Sequence, residues 1–335
     1  MAGRGDGPDD GLHHFSQRNG EWRGIHLARV EELAALARHP TLPVLYGLSG
    51  LQRGTVLAWD VSELGVAGEI ARVDSGGEIP CDVAVDPSGS ILVVANFGFN
   101  DIGGTLATWR LDSAGLPLGD PRVTDLGEGS GVVAVNQDRA HPHQIVFHAG
   151  RLFVPDYGAD RIRSYDVETR SGTLTEREPT IAPPGSAPRH MCFLDERHFV
   201  ASGELAGAIM RGAVDDASWS VSPGTAHTGP VPGRHPVNYP GDIKLGWAGE
   251  GAVAYFANRG YDTVSAFSLD GDALRLIGEV ASGTQWPQHL LVTASELLVA
   301  GWDTGTVVAI PLENGRPGEP RVLFEVSGAG WLLPS

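Results

Sequence analysis

Arginine, histidine and acidic residues recur at matching places along this chain, and those residue types together can bind an anion and move a proton. One group stands beside a repeated proline: His141 and His143 flank Pro142, Arg189 and His190 follow Pro188, Asp242 follows Pro240, and His289 follows Pro287. A second group follows an apolar run: Asn96, Asp156, Glu204, Asn258 with Arg259, and Trp302 with Asp303. A guanidinium forks onto carboxylates, phosphates and developing oxyanions. Imidazoles and carboxylates take and return protons. Gathered at one concave mouth, these side chains would make an anion-binding site capable of acid–base chemistry.

The elements that must gather them are short strands. Residues 141–168 read as one structural unit. Gln144–Phe147 is a short apolar run, Ala149-Gly150 a turn, Arg151–Pro155 a strand, Tyr157–Asp160 a polar loop, and Ile162–Val167 an alternating strand. Thr173–Pro179 adds a fourth run. The unit recurs: Pro80, Pro142, Pro188, Pro240 and Pro287 are spaced by 62, 46, 52 and 47 residues. From each proline to Asn96, Asp156, Glu204, Asn258 and Trp302 the offsets are 16, 14, 16, 18 and 15. A period near ~45 with four strands per unit is that of a propeller blade. The long step points to an insertion in the Gly/Asn/Asp-rich stretch Gly127–Ala140. Six full units start near residues 30, 79, 141, 187, 239 and 286, the first through Val30–Arg38, whose composition alone would suit a helix. A strand–turn–strand fragment around Asn19-Gly20 makes a seventh if the tail SGAGWLLPS completes it. The expected fold is all-β: a seven-bladed β-propeller of four-stranded antiparallel blades, its ring closed by strands from both termini so that no sheet edge stays open. In a blade, the start of the innermost strand and the connection between the second and third strands emerge on one face, so both groups of polar residues converge there.

Composition narrows the partners. The net charge of −17 argues against nucleic acid or an anionic membrane surface, which need a basic face. Of 24 basic residues only Lys244 is a lysine. Cys81 and Cys192 fall in expected innermost strands and read as buried, reduced thiols rather than a disulfide framework. His141 and His143 lack a third ligand in register, so neither a metal nor another cofactor is expected. GEGSG at 127–131 follows no strand-to-helix pattern of a nucleotide site, and no GxSxG elbow marks a serine hydrolase. The N-terminal stretch has no apolar core of a signal peptide, and no run approaches a membrane span, so a cytoplasmic address is expected. Residues 1–11 read as a disordered tail and 12–335 as a single domain.

The motifs HPHQIVF, VPDYGADRI, PRHMCF, SGEL and ANRGYDTVSAF occur in this order. They resemble the seven-bladed lactonase family of 6-phosphogluconolactonase and the fungal carboxy-cis,cis-muconate cyclase, over roughly residues 15–335. The resemblance implies a catalytic set of His143 in HPHQ, Arg189 in PRH, Glu204 in GEL and Arg259 in NRG. His141, His190, Asn96, Asp156, Asn258 and His289 are expected to contact substrate around it. The implied activity is hydrolysis of 6-phosphogluconolactone or a related sugar-acid lactone, with Arg stabilising the oxyanion and His or Glu activating water. Cycloisomerisation of a muconate-type diacid would use the same four residues, and a binding module without turnover would use none. The partner expected is a small lactone or carboxylate. The first blade, the insertion before His141, and Trp302 depart from the family pattern.

Overall fold

Runs of β-branched and small apolar residues between Gly, Pro, Asn and Asp turns favour strands throughout this chain. The computed structural model describes all of it except residues 4–9, 20, 51, 64, 99–101, 230, 250, 272 and 335. Every regular element described is a β-strand, and among the described residues no helix is long and apolar enough to cross a membrane. The chain divides into two compact units, Met1–Pro179 and Thr180–Ser335.

The first unit opens with strands Ala2–Gly3, Gly11–Arg18 and Glu21–Arg29, paired antiparallel in sequence order. Of the stretch expected to be a disordered tail, Ala2 pairs with Leu12, while residues 4–9 lie outside the described residues, as does Gly20 of the expected turn. Three four-stranded antiparallel meanders follow. They are Ala35–Arg38, Val44–Ser49, Thr55–Asp60 and Gly68–Asp74; then Pro80–Val85, Ile91–Asn96, Thr105–Arg110 and Arg122–Asp125; then Val146–His148, Arg151–Asp156, Arg161–Glu168 and Thr173–Glu176. The stretch of helical composition is a turn followed by the strand Ala35–Arg38, because its apolar residues are needed beside Val44–Ser49.

The second unit contains three more such sheets: Pro188–Phe193, His198–Gly203, Ala208–Ala213 and Ser220–Pro223; Tyr239–Ala248, Gly251–Arg259, Thr263–Asp270 and Ala273–Ala281; and Pro287–Val292, Glu296–Gly301 and Thr306–Glu313 with the outer pieces Arg316–Pro317 and Arg321–Glu325. Ala329–Trp331 follows.

In the six sheets from Ala35 onward the second strand is largely buried on both faces. Along Gly251–Arg259, Val253, Tyr255 and Ala257 pack on Leu290, Leu297 and Val299 of the following sheet. The alternate residues Ala254 and Phe256 pack with Val200 and Ile209 of the preceding one. In the first unit Ile91, Val93 and Ala95 meet Leu152, Val154 and Tyr165 in the same way. A strand covered on both sides reads as a continuous apolar run, which is why these segments lack polar alternation. Each large side chain so buried contributes about 1.5–3 kcal/mol. The outermost strand Gly68–Asp74 alternates between exposed and half-buried residues, as an edge does.

The insertion Gly127–Ala140 folds back on its own unit. Ser130 N donates to Gly158 O at 2.8 Å, and Gln137 Nε2 donates to Asp160 Oδ1 at 2.7 Å and to Tyr157 O at 3.0 Å. Gly158 is required there: a Cβ would lie 1.8 Å from Arg139 O.

Candidate functional site

Strand register decides which residues share a place in the repeat. Pro80, Pro188 and Pro287 open their first strands, Pro240 is the second residue of its strand and Pro142 makes an isolated bridge before Val146–His148; at a strand start a missing N–H is tolerated. Pro80 pairs with Asn96, Pro142 with Asp156, Pro188 with Gly203, Pro240 with Asn258, and Pro287 with Gly301. The spacing alone equated Glu204 and Trp302 with Asn96, Asp156 and Asn258. Register corrects this: Glu204 and Trp302 stand one residue further on, with Phe97, Tyr157 and Arg259. A shift of one residue moves a side chain to the other face of a strand, so the two sets do different work. On the first strand, Cys81, His143, Arg189, Gly241 and Gln288 follow the proline, and Asp82, Gln144, His190, Asp242 and His289 come next. The pairing slips just after four of these prolines, at 80–82, 188–191, 240–243 and 287–289. Such bulges re-aim side chains and are frequent beside active sites.

Asn96, Asp156 and Asn258 are fully buried. Asn96 Nδ2 donates to Ser75 O and Thr105 Oγ1 at 2.9 and 3.1 Å. Asn258 Nδ2 donates to Ser265 Oγ and Thr263 Oγ1, and Oδ1 accepts from Asn238 Nδ2 at 2.8 Å. Asp156 Oδ1 accepts from the backbone N–H of His141, Gly158 and Ala159, and its Oδ2 from Arg163 Nε at 2.8 Å. These three expected substrate contacts therefore direct their hydrogen bonds into the fold.

In the second unit, register brings Arg189, Glu204 and Arg259 together. Glu204 Oε2 forms an ion pair with Arg189 Nε at 2.9 Å and accepts a very short hydrogen bond from Arg259 Nη2. Both guanidinium groups are buried, and the carboxylate is slightly more open, at 16% of its side chain. Arg259 is held on every nitrogen: Nε donates to Tyr239 O at 3.0 Å and Nη1 to Gln288 Oε1 at 3.2 Å. Its guanidinium carbon sits 5.5 Å from the centre of the Trp286 ring, a cation–π contact. Gly241 makes room for it, since a Cβ there would lie 2.9 Å from Arg259 Nε. Sequence reasoning passed over Gln288 and Gly241; the signal was their place directly after Pro287 and Pro240.

Behind Arg189 runs a buried polar chain. Arg189 Nη1 lies 3.2 Å from His190 Nε2, and His190 Nδ1 lies 2.7 Å from Asp242 Oδ1. Asp242 also accepts from Lys244 Nζ at 2.6 Å and from the N–H of Ile243 and Leu290. His289 packs against the Trp331 ring, tilted at 32°, accepts from Leu332 N on Nδ1, and holds Nε2 3.7 Å from Asp242 Oδ2. Burial, reinforced by the Arg189 charge, pushes His190 down to about 3 against the pull of Asp242. Burial likewise holds His289 well below the usual imidazole range. Burial would raise Asp242, but Lys244 and the His190 hydrogen bond outweigh it, and its carboxyl stays well below the ordinary carboxylate range. The Asp242–His190 contact is thus a hydrogen bond from a neutral ring to an anion. Burial also raises the Cys192 thiol to about 11, and the thiol donates to Ile243 O at 3.2 Å. Both cysteines are half-buried rather than fully buried.

These shifts set a pH dependence. Between about pH 6.5 and 3 the unfolded chain protonates His190 while the folded chain does not, so stability falls as pH falls, and the lowered His289 acts in the same direction. Asp242 acts in the same direction below its unfolded value. Unfolding free energy is expected to drop by about 2 kcal/mol per buried histidine from pH 7 to 5. Urea titrations at both pH values check this; His190→Gln should remove one histidine's share, and a pH-independent stability would contradict the neutral rings.

In the first unit, His141 is buried, its Nδ1 2.7 Å from Phe97 O and its ring stacked on Phe97 with centroids 4.4 Å apart. His143 is half-buried and meets Phe97 edge-on at 5.7 Å. Its N–H donates to Pro155 O at 3.0 Å. His143 holds the repeat position that Arg189 and Gln288 hold in the second unit.

Residues 11–331 match the family described as "Lactonase, 7-bladed beta-propeller". The 6-phosphogluconolactonase of Formosa agariphila is 26% identical over 92% of this chain and 91% of its own. The 6-phosphogluconolactonase of Bacillus subtilis is 23% identical, covering 85% of this chain and 84% of its own. The solved structure of the periplasmic gluconolactonase of Pseudomonas aeruginosa superposes with a TM-score of 0.84 at 20% identity, covering 98% of this chain and 96% of that one, which shows the fold. With its repeat register and its motifs in family order, the chain belongs to the seven-bladed β-propeller lactonase family.

Proposed function

We propose that this protein is a lactone hydrolase, a carboxylic ester hydrolase acting on 6-phosphogluconolactone or a related sugar-acid lactone. The relatives' names support the class. The observation that carries the reading is one carboxylate, Glu204, shared by Arg189 and Arg259. Water attacks the lactone carbonyl carbon, charge builds on the carbonyl oxygen, and the ring C–O bond then breaks to give the hydroxy acid. Arg259 uses three of its five N–H donors within the fold, and the other two suit the oxyanion; one such donor is worth about 3–4 kcal/mol. Glu204 Oε2 is taken by the two arginines, so Oε1 is the atom that accepts the proton from water. His143 is the other base that the family motif offers, and the proton that Glu204 takes from water passes on to the leaving alkoxide. His190, His289 and Asn258 support the site from within the fold, while Asn96 and Asp156 brace their own sheets.

The two arginines and Glu204 sum to a single positive charge, since Lys244 is balanced by Asp242. That suits an uncharged or monoanionic lactone better than a dianionic phosphate ester. The test is hydrolysis of fresh gluconolactone beside 6-phosphogluconolactone, with the spontaneous rate subtracted. Faster turnover of the unphosphorylated lactone supports this charge argument, and turnover of neither overturns the lactonase reading. Arg189→Lys keeps the charge and loses the planar fork; unchanged turnover would remove Arg189 from the site.

The finer architecture is proposed with it: one domain from residue 12 onward, seven blades, and a ring closed by strands from both ends of the chain. The family description supports the blade count. Deleting residues 331–335 is expected to lower Tm by several degrees in one cooperative transition, and an unchanged Tm rules this closure out. A cytoplasmic address is part of the proposal and is checked by cell fractionation.

A further inference from the structure

We propose that His190 is the positioning residue for Arg189: its Nδ1–H is anchored on Asp242, and its bare Nε2 accepts from Arg189 Nη1 and so fixes the guanidinium plane against Glu204. An arginine side chain has several freely turning bonds. Glu204 holds one edge of this one, with Nε 2.9 Å from Oε2, and cannot by itself stop rotation about that contact. The His190 ring holds the neighbouring edge at 3.2 Å. Two contacts on one planar fork fix its orientation.

The ring can do this in one tautomer only. With hydrogen on Nε2, two N–H groups would face each other across the Arg189 contact. Asp242 prevents that. It is fully buried, is locked by the N–H of Ile243 and Leu290 at 3.0 and 2.8 Å and by Lys244, and accepts from Nδ1 at 2.7 Å. The backbone of His190 is pinned as well: its N–H donates to Ser202 Oγ, which donates on to Gly241 O at 2.9 Å. Both ring nitrogens are thereby engaged and the ring is 2% exposed, so His190 acts through Arg189 and does not touch substrate. Only a group able to donate at one end and accept at the other serves here, and Gln144 shows a glutamine standing at the same place of the repeat in the first unit.

The catalytic part of this inference rests on the lactonase reading; the structural part does not. Two variants divide the ring's two jobs. His190→Asn keeps a donor where Nδ1 stands and removes the acceptor for Arg189. His190→Gln puts an acceptor where Nε2 stands. Steady-state kinetics on whichever lactone is turned over, and NMR exchange rates of the Arg189 guanidinium protons without substrate, are measured for both. The expected result is a loss of about 30–100-fold in kcat for His190→Asn with KM nearly unchanged, the scale of a small misplacement, and recovery to within a few-fold in His190→Gln. The Arg189 protons should exchange at least about tenfold faster in His190→Asn and near the wild-type rate in His190→Gln, as loss and return of a hydrogen bond require. Equal losses in both variants, or Arg189 exchange unaffected by His190→Asn, overturn the positioning role. Absence of wild-type turnover with the expected exchange pattern would sink the lactonase reading and leave the positioning intact.

Discussion

Replacing Glu204 by glutamine lowers lactone turnover about 10²–10⁴-fold, the range for removing a general base. The variant keeps the shape of the side chain and its two contacts, because an amide oxygen can still face Arg189 and Arg259. It loses the negative charge and the proton-accepting Oε1. KM should therefore move less than kcat, and the fold should survive, since Glu204 is the most open member of the cluster. Kinetics of wild type, Glu204→Gln and His143→Ala side by side decide between the two bases. A full loss in His143→Ala with a small loss in Glu204→Gln would transfer the base to His143. Little loss in either would take the water-activating step away from both.

Replacing Asp156 by alanine is expected to destabilise the protein by about 3–5 kcal/mol, the range for breaking a buried ion pair from one side. Asp156 is fully buried and satisfies three backbone N–H groups besides Arg163. Its loss leaves the Arg163 guanidinium, 5% exposed, with Glu176 and Leu126 O as partners. It also frees the chain at His141, one residue before Pro142. Chemical denaturation measures the loss. The double variant Asp156→Ala with Arg163→Met should recover part of it, because an apolar pair carries no stranded charge. A single-variant effect below about 1 kcal/mol, the scale of an exposed pair, would show that the pair is not desolvated in solution.

The repeat and its strands were readable because a doubly covered strand imposes a local signature. Residues 91–95 and 252–257 are unbroken apolar runs, and a proline opens the first strands Pro80–Val85, Pro188–Phe193 and Pro287–Val292. The same signature located Arg189, Glu204 and Arg259 as residues of one end of the blades. Counting from the prolines nevertheless misaligned Glu204 by one residue. Bulges after Pro80, Pro188, Pro240 and Pro287 change the count without changing composition, and only the hydrogen-bonded register shows where they fall.

The sequence by itself determined the all-β class, the period, and which residue types stand at strand ends, because those follow from side-chain burial within a few consecutive residues. Tertiary structure alone decided that Asn96, Asp156 and Asn258 brace their sheets while Glu204 joins two arginines. It alone put His190 between Asp242 and Arg189, and Gln288 on Arg259. Glu204 and Arg259 lie 55 residues apart in the chain, His190 and Asp242 52, and Arg259 and Gln288 29, and a side chain's role there depends on which neighbour satisfies it after desolvation, a fact no local pattern encodes.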